Sequence, residues 1–264
     1  MTRITQLLIL SMITLGMSNT ALADPLLDAV SGDHRLEENV MRDVYRNPYE
    51  TLSFFGIKQD MTVIESWPGG GWYSEILGAY LKDNGQLIAA TYNRNAETQK
   101  SWQVRVNKEY DEKIVANKAA YGDIMVVSFS PETGDKLASP GSVDAILDFR
   151  NAHNWIKSDA VPQAWHSALK PGGFVGIVDH RMGADMPLAA DNGYIHEQQL
   201  VNIMEKNGFK LVATSEINSN PRDTKNYPSG VWTLPPTLAQ KDVLKNKYLA
   251  IGESDRLVMK FEKI

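Results

Sequence analysis

Strand-like and helix-like segments alternate along most of this 264-residue chain. Seven apolar segments have the length and composition of strands. They cover residues 63–67, 86–92, 124–129, 143–149, 174–179, 209–213 and 257–261. Helical patterns, with apolar residues three and four positions apart, separate most of them. This alternation predicts an α/β fold with a doubly wound, mainly parallel sheet, helices on both faces and right-handed crossovers.

The junction between the first strand and the next helix is rich in glycine. Residues 62–71 read Thr-Val-Ile-Glu-Ser-Trp-Pro-Gly-Gly-Gly. A backbone without Cβ atoms can approach a ligand closely, and the first turn of the following helix favours an anionic group. Ligands of open α/β sheets bind at the carboxyl ends of strands, where the strand order reverses. We therefore predict a ligand site at Glu65, Gly69, Gly70 and Gly71, although a glycine run can also be only a turn.

Polar residues follow the fourth and fifth strands, whose carboxyl ends share one edge of the predicted sheet. Arg150, His153 and Asn154 come after the fourth strand, and His180 ends the fifth. We expect these residues to lie at the ligand site. An imidazole with a pKa near about 6.5 accepts a proton at neutral pH, so His153 can act as a general base. In the alternative interpretation, His153 and Asn154 only hold the loop in place.

The same edge raises the question of a metal ion or an anionic ligand. Two histidines and Asp179 can hold a metal, but no tight spacing such as His-x-x-x-His supports this, and no metal is predicted. Arg150 and Arg181 are instead expected to face an anionic substrate or to pair with Asp179, because the guanidinium fork matches a carboxylate.

The N-terminus has the pattern of a secretory signal peptide, with Arg3, an apolar stretch over residues 7–17 and Ala-Leu-Ala ending at Ala23. The apolar stretch is much shorter than the roughly 20 residues of a membrane span. We predict cleavage after Ala23, no stable membrane anchor and a periplasmic or otherwise exported protein. Residues 24–264 are predicted to form a single domain.

Composition argues against a lipoprotein, a disulfide-stabilised protein and a nucleic-acid-binding protein. The chain has no cysteine, so it has neither a lipid-attachment cysteine nor a disulfide framework. Its formal net charge is −5. This argues against a nucleic-acid partner, since phosphate binding needs a concentrated basic face. The expected partner is a small-molecule substrate.

Several of these features resemble class I S-adenosylmethionine-dependent methyltransferases. The acidic end of the first strand, the glycine loop, the strand with Asp144, the Leu169-Lys-Pro-Gly-Gly173 turn and the final pair of strands all match that family. The resemblance covers roughly residues 62–264. The chain is also similar to a narrower group of exported predicted methyltransferases, through its Trp-Pro-Gly-Gly-Gly loop and the segments 149–155, 231–236 and 252–256.

The resemblance implies a seven-stranded Rossmann-like sheet whose last strand is antiparallel. It implies S-adenosylmethionine as the cofactor, with Glu65 and Gly69 to Gly71 at its methionine end. The cofactor's carboxylate suits a helix N-terminus, and its amino group suits loop carbonyls or Glu65. The implied activity is methyl transfer to an unidentified small molecule, an in-line displacement that needs proximity, a dry pocket and often a base. The resemblance also implies that the catalytic residues are Arg150, His153, Asn154 and His180, with His153 as the candidate base.

The chain departs from the family's pattern after each of the first three strands. Trp67 stands where the first glycine of the loop is expected. The second strand ends in Tyr92 and Asn93, where an acid normally binds the ribose hydroxyls, and a neutral Asn93 in that role weakens binding by about tenfold. Phe129 ends the third strand, where it either stacks on the adenine or belongs to the core.

Two other functions stay open. S-adenosylmethionine is a cytosolic metabolite, and its supply to an exported compartment is unexplained. The chain could instead be a non-catalytic ligand-binding protein on a degenerate methyltransferase fold, which Trp67 and the neutral second strand end favour. A third candidate is nucleotide-dependent redox chemistry, with Arg94 at a 2′-phosphate.

Two segments outside the alternating strands and helices are candidates for covering the ligand site. Residues 24–60 have helical patterns, and they form either a lid or a helix packed on the sheet. Residues 218–254 form an insertion before the last strand whose first half is rich in proline. Long irregular loops are commonly functional, so we predict that Arg222, Tyr227 and Trp232 help close the acceptor pocket. Covering of the sheet edge is the alternative.

Overall fold

The computed structural model describes residues 24–132, 136–187 and 192–264. The strands within these ranges form one seven-stranded sheet. The strands are β1 Thr62–Ser66, β2 Gln86–Thr91, β3 Met125–Ser128, β4 Val143–Phe149, β5 Leu169–His180, β6 Phe209–Ser215 and β7 Arg256–Lys263. Their order is β3-β2-β1-β4-β5-β7-β6, and only β7 runs antiparallel to its neighbours. The predicted doubly wound sheet with an antiparallel last strand is confirmed. The order reverses between β1 and β4, whose carboxyl ends form the switch point.

The helices are α1 Pro25–Ser31, α2 Glu37–Val40, α3 Asp43–Arg46, α4 Pro48–Phe55, α5 Ser74–Leu81, α6 Ser101–Tyr110, α7 Lys118–Tyr121, α8 Ala152–Trp155, α9 Ala160–Ala168, α10 Glu197–Lys206 and α11 Lys245–Ile251. A π-helical turn, Asp111–Val115, extends α6, and a 3₁₀ turn covers Gly230–Thr233. None of the described helices is long and apolar enough to cross a membrane. The predicted signal peptide, residues 1–23, lies outside the described residues.

Helices cover both faces of the sheet, which explains why its central strands are apolar at successive positions. On one face Val63 and Leu147 pack beneath α1, α4 and α5. On the other face Ile64 and Ile146 pack beneath α9 and α10. This second core contains the fully buried Trp165.

The turn predicted to precede the fifth strand is a bulge inside it. Leu169 already pairs with Val143, and regular pairing resumes with Phe174 opposite Ala145. Residues 170–173 are therefore accommodated within the strand. Gly172 adopts a left-handed φ of 74°, which glycine takes without a steric penalty.

The N-terminal helices divide between two positions. In α4, Leu52 and Phe55 are fully buried, and the ring of Phe55 would lie 2.9 Å from a Cβ at Gly176 of β5. The helix is therefore packed on the sheet, as one of the two interpretations predicted. Helices α2 and α3 instead place Glu38 and Arg46 at the carboxyl edge of the sheet, where they line a cavity.

Candidate active site

Two adjoining cavities lie at the switch point. The first has a volume of about 410 Å³ and the second about 400 Å³, within the range of small-molecule pockets. Both are lined by Trp67, Tyr92, Asn151 and Asn154. The first cavity also brings together predicted site residues from three strand ends, namely Glu65, Gly69, Gly70, Arg150, His153 and His180.

The glycine loop turns an open backbone towards the first cavity. A Cβ added at Gly69 would meet nothing within 4 Å, and one at Gly70 would meet only Glu109 Oε1 at 3.9 Å. Gly71 behaves differently, because its Cβ would lie 2.5 Å from the Ile114 side chain. Gly69 and Gly70 can therefore approach a ligand, whereas packing against the π-helical turn explains the glycine at position 71.

Trp67 fills the space between the loop and the end of β3. Its φ of 46° is left-handed, a conformation that costs a residue with a side chain about 1–2 kcal/mol. The indole Nε1 donates to the Phe129 carbonyl at 3.0 Å, and the two rings stack with centroids 4.8 Å apart. Phe129 is fully buried and lines neither cavity. The structure thus supports the core interpretation of Phe129, and Trp67 takes its place at the cavity surface.

Glu65 ends β1 with a buried carboxylate at the first cavity. It is 2% exposed and accepts a hydrogen bond from Ser74 Oγ at 2.5 Å. The Tyr110 hydroxyl donates to Ser74 Oγ at 3.1 Å. Burial raises the pKa of Glu65 to about 7. A cationic ligand group beside it would stabilise the ionised form.

The end of β2 contributes an aromatic wall to the second cavity. The rings of Tyr92 and Trp102 meet edge to face, with centroids 4.8 Å apart. Asn93, predicted to bind the ribose, lines neither cavity, and its Nδ2 donates to Thr98 Oγ1 at 3.0 Å. Carboxylates come from elsewhere: Glu109 of α6 lines the first cavity and Glu132 the second. Sequence reasoning missed both because neither ends a strand.

His153 is held by the buried carboxylate of Asp179. Its backbone N–H donates to Asp179 Oδ2 at 2.8 Å, and its ring Nδ1 lies 3.1 Å from Oδ1. With the proton on Nδ1, the ring donates to Asp179, and its Nε2 can accept a proton from a ligand in the cavity. Burial alone would lower the pKa of His153, but the negative charge of Asp179 raises it overall. The backbone contact holds the loop, and the same geometry allows the ring to act as the predicted general base.

His180 has both ring nitrogens engaged. Nδ1 lies 2.5 Å from Ser254 Oγ, and Arg150 Nε donates to Nε2 at 3.5 Å. Burial, assisted by the charge of Arg150, lowers the pKa of His180 well below its usual value. In its neutral form the imidazole accepts the hydrogen bond of Arg150 and so orients that side chain at the first cavity. Its predicted catalytic role stays a prediction.

The local charges oppose a metal ion at this edge. Ligand atoms of His153, Asp179 and His180 lie within 4.8 Å of one another. However, Arg150 contacts His180 directly, and Arg46 and Arg256 are close enough to lower its pKa. A cation there would be repelled by all three guanidinium groups.

The turn after β4 places several side chains that lie at the cavity. Arg150 adopts a left-handed φ of 66°, and its N–H donates to the Val178 carbonyl at 2.7 Å. The next residue, Asn151, joins the ends of β1 and β4 by donating to the Ser66 carbonyl at 3.2 Å and to Asp148 Oδ1 at 3.0 Å. Sequence reasoning did not single out Asn151, although it lies inside the segment 149–155.

Two predicted acceptor-side groups are placed elsewhere. Arg181 bonds to Glu216 and Asp255 at 2.7 and 3.0 Å and does not line the first cavity, so it neither faces that cavity nor pairs with Asp179. Of the three insertion residues, only Trp232 lines the cavity, with its ring 6.2 Å from that of His153.

No protein-family model and no curated protein sequence matches the chain. Its fold does match solved structures. An S-adenosylmethionine-dependent methyltransferase from Aquifex aeolicus is 17% identical over 84% of this chain and 93% of that chain, with a TM-score of 0.57. The [4+2]-cyclase SpnF is 14% identical over 90% and 92%, with a TM-score of 0.58.

A third match is geranyl diphosphate methyltransferase in complex with S-adenosylmethionine. It is 10% identical over 90% of this chain and 95% of that chain, with a TM-score of 0.57. Identities this low show the fold alone, and the cyclase illustrates that one fold hosts different activities. The chain has the seven-stranded Rossmann-like fold of these S-adenosylmethionine-dependent methyltransferases.

Proposed function

We propose that this protein transfers a methyl group from S-adenosylmethionine to a small molecule. The observation that carries the proposal is the first cavity, where buried Glu65 and the open backbone of Gly69 and Gly70 share one chamber with the His153–Asp179 pair. The likeness of the fold to methyltransferases supports it. When bound, the cofactor supplies an electrophilic methyl group on a sulfonium.

The residues present fit this cofactor. Glu65 offers a carboxylate to its cationic amino group, and the backbone at Gly69 and Gly70 leaves room for its amino-acid portion. Tyr92 and Trp102 offer aromatic faces to its adenine in the second cavity. Trp67 lines both cavities and therefore lies between the proposed sites of the amino-acid portion and the adenine. A glycine at this position would leave the connection between the cavities wider.

The chain's own residues then have defined tasks. His153 accepts the acceptor's proton at Nε2, and the buried Asp179 stabilises the imidazolium that forms. Trp232 covers the cavity beside the His153 ring and helps exclude water.

Calorimetric titration with S-adenosylmethionine, S-adenosylhomocysteine and NADP tests the proposal. We expect the first two to bind and NADP not to bind. Binding of NADP alone would favour nucleotide-dependent redox chemistry, and absence of all binding at millimolar concentration would refute methyl transfer. Binding without turnover of any acceptor would leave a non-catalytic binding protein.

Trp232→Ala is expected to raise the KM for the methyl acceptor by roughly fivefold, as loss of one aromatic contact predicts. Trp232 is 37% exposed, so the melting temperature should change by less than about 3 °C. Steady-state kinetics with an acceptor that turns over and thermal unfolding measure the two effects. Leu249→Ala, in the similarly exposed part of α11, is the control. A large loss of stability with an unchanged KM would show that Trp232 only covers the sheet edge.

We also propose, from the N-terminal pattern alone, that the protein is exported and cleaved after Ala23. The intact mass of the protein purified from its native cells checks this. A mass that includes residues 1–23 would contradict it.

A further inference from the structure

We propose that the methyl acceptor is an anion whose carboxylate, phosphate or similar oxyanion binds between Arg46 and Arg150. This inference rests on the proposed function and names its substrate class. It is carried by an arginine cluster at one wall of the first cavity, in which positive charge exceeds negative charge and a buried donor lacks a partner.

The arginine cluster consists of Arg42, Arg46, Arg150 and Arg256 around the single carboxylate of Glu253. Arg42 Nε donates to Glu253 Oε1 at 2.7 Å, and Arg46 Nε donates to Oε2 at 3.2 Å. Arg256 pairs with the same Oε2. Arg150 makes no ion pair with any residue that the structure describes. Glu253 therefore offsets one of four positive charges.

Arg46 provides the evidence for a missing ligand. Its side chain is only 6% exposed, it lines the first cavity, and its guanidinium lies 4.5 Å from the centre of the Trp72 ring. Its buried Nη2 has no hydrogen-bond partner among the described residues. Buried donors are almost always satisfied, so this residue of the cavity wall has hydrogen-bonding capacity that the described residues leave unused, as does Arg256 through its Nε. An oxyanion beside the cluster would use it.

Arg150 reaches the same wall from the end of β4. It lines the cavity together with Arg42 and Arg46, and His180 fixes its Nε. Burial and repulsion from Arg256 lower the pKa of Arg150 to about 10. Arg46 has a lowered pKa too, mainly through burial and also through repulsion from Arg150. An anion bound between the two guanidinium groups would stabilise their charged forms.

The cofactor itself does not supply the missing charge. S-adenosylmethionine has a sulfonium and an ammonium group against one carboxylate, so its net charge is about +1 at neutral pH. Its binding adds positive charge to the cavity. The charge of Asp179 also acts on Arg150, but its oxygens accept hydrogen bonds from the His153 ring and two backbone N–H groups, so it makes no ion pair with the arginine cluster. An anionic acceptor supplies the charge and also brings its nucleophile towards His153.

The rival source of an oxyanion is the carboxylate of the cofactor. Competition distinguishes the two, with inorganic phosphate as the probe in a buffer of low ionic strength. Phosphate is titrated calorimetrically into the free protein and into protein saturated with S-adenosylhomocysteine. If the arginines hold the acceptor, phosphate binds in both cases with the same or higher affinity. Displacement of phosphate by S-adenosylhomocysteine would overturn the proposal and assign the arginines to the cofactor.

Variants locate the probe. Arg150→Met should weaken phosphate binding by about tenfold or more and change S-adenosylhomocysteine affinity less than threefold. It removes no ion pair among the described residues, so folding should survive. Arg46→Lys keeps the charge but loses the fork, and should weaken phosphate binding less than Arg150→Met. Arg105→Met, an exposed arginine of α6, is the charge-matched control.

The outcomes separate this inference from the proposed function. Phosphate that fails to bind the folded protein, or that binds Arg150→Met and Arg105→Met equally well, overturns the anionic acceptor. Loss of S-adenosylhomocysteine binding to the unaltered protein refutes methyl transfer instead, and the phosphate titration of the free protein detects the oxyanion site independently.

Discussion

His153→Asn is expected to lower kcat by about 10²- to 10⁴-fold, the usual contribution of a positioned general base. Asparagine can still hydrogen-bond to Asp179, but it has no basic nitrogen to accept the acceptor's proton. The measurement is the initial rate of S-adenosylhomocysteine release with an acceptor that turns over. Affinity for S-adenosylhomocysteine should change little, because the substituted group faces the acceptor.

The pH dependence gives this prediction a second readout. Asp179 raises the pKa of His153 above its ordinary 6.5, and the base works only when it is unprotonated. The rate should therefore fall as pH decreases through a pKa above 6.5, and His153→Asn should lose that acidic limb. His166→Asn, at a histidine that lines neither cavity, is the control. An unchanged acidic limb in His153→Asn would assign the proton transfer to another group.

Glu65→Gln is expected to weaken S-adenosylmethionine binding by about tenfold or more while stabilising the free protein. The loss of affinity follows from replacing a charge-assisted hydrogen bond to the ligand's amino group by a neutral one. Calorimetry at pH 8 measures the first effect and thermal unfolding of the free protein measures the second. Opposite signs of the two changes are the signature of a carboxylate kept for ligand binding.

The gain in stability has a defined pH window. Burial raises the pKa of folded Glu65 from 4.5 to about 7, so the stabilisation from its protonated form is complete below 4.5 and is lost as pH rises through 7. Above pH 7 the buried charge costs roughly 3 kcal/mol. Glu65→Gln should thus raise the melting temperature by several degrees at pH 8 and hardly at pH 4.5. The exposed Glu97→Gln is the control, and equal shifts at both pH values would contradict the assignment.

The sheet could be predicted from the sequence because its strands are buried on both faces. Segments such as 143–149 are apolar almost throughout. A loop would not contain so continuous an apolar run, so the pattern identifies a buried strand. The start of β5 could not be predicted, because Gly172 and Gly173 have the pattern of a turn but form a bulge within the strand. The bulge results from the pairing of β5 with β4, and the local sequence carries no information about that pairing.

The candidate site was predictable only where its residues end a strand or follow one closely. Glu65 and His153 were found in this way, and the structure places them in one cavity. Arg46 and Glu109 come from helices whose docking depends on the whole fold, so their position is invisible in the sequence. The segment 252–256, part of the resemblance, was the one available signal for Glu253.

The carboxylate of Glu253 joins parts of the chain that are synthesised far apart. It lies 207 residues from Arg46 and 211 from Arg42. Such distant contacts form late, because a long loop must close before they stabilise anything. Until β7 has joined the sheet, the arginines of the N-terminal helices lack their counter-charge. The arginine cluster therefore receives its counter-charge only when the segment around Glu253 has docked on the N-terminal helices, and the two parts of the chain depend on each other to form this wall of the cavity.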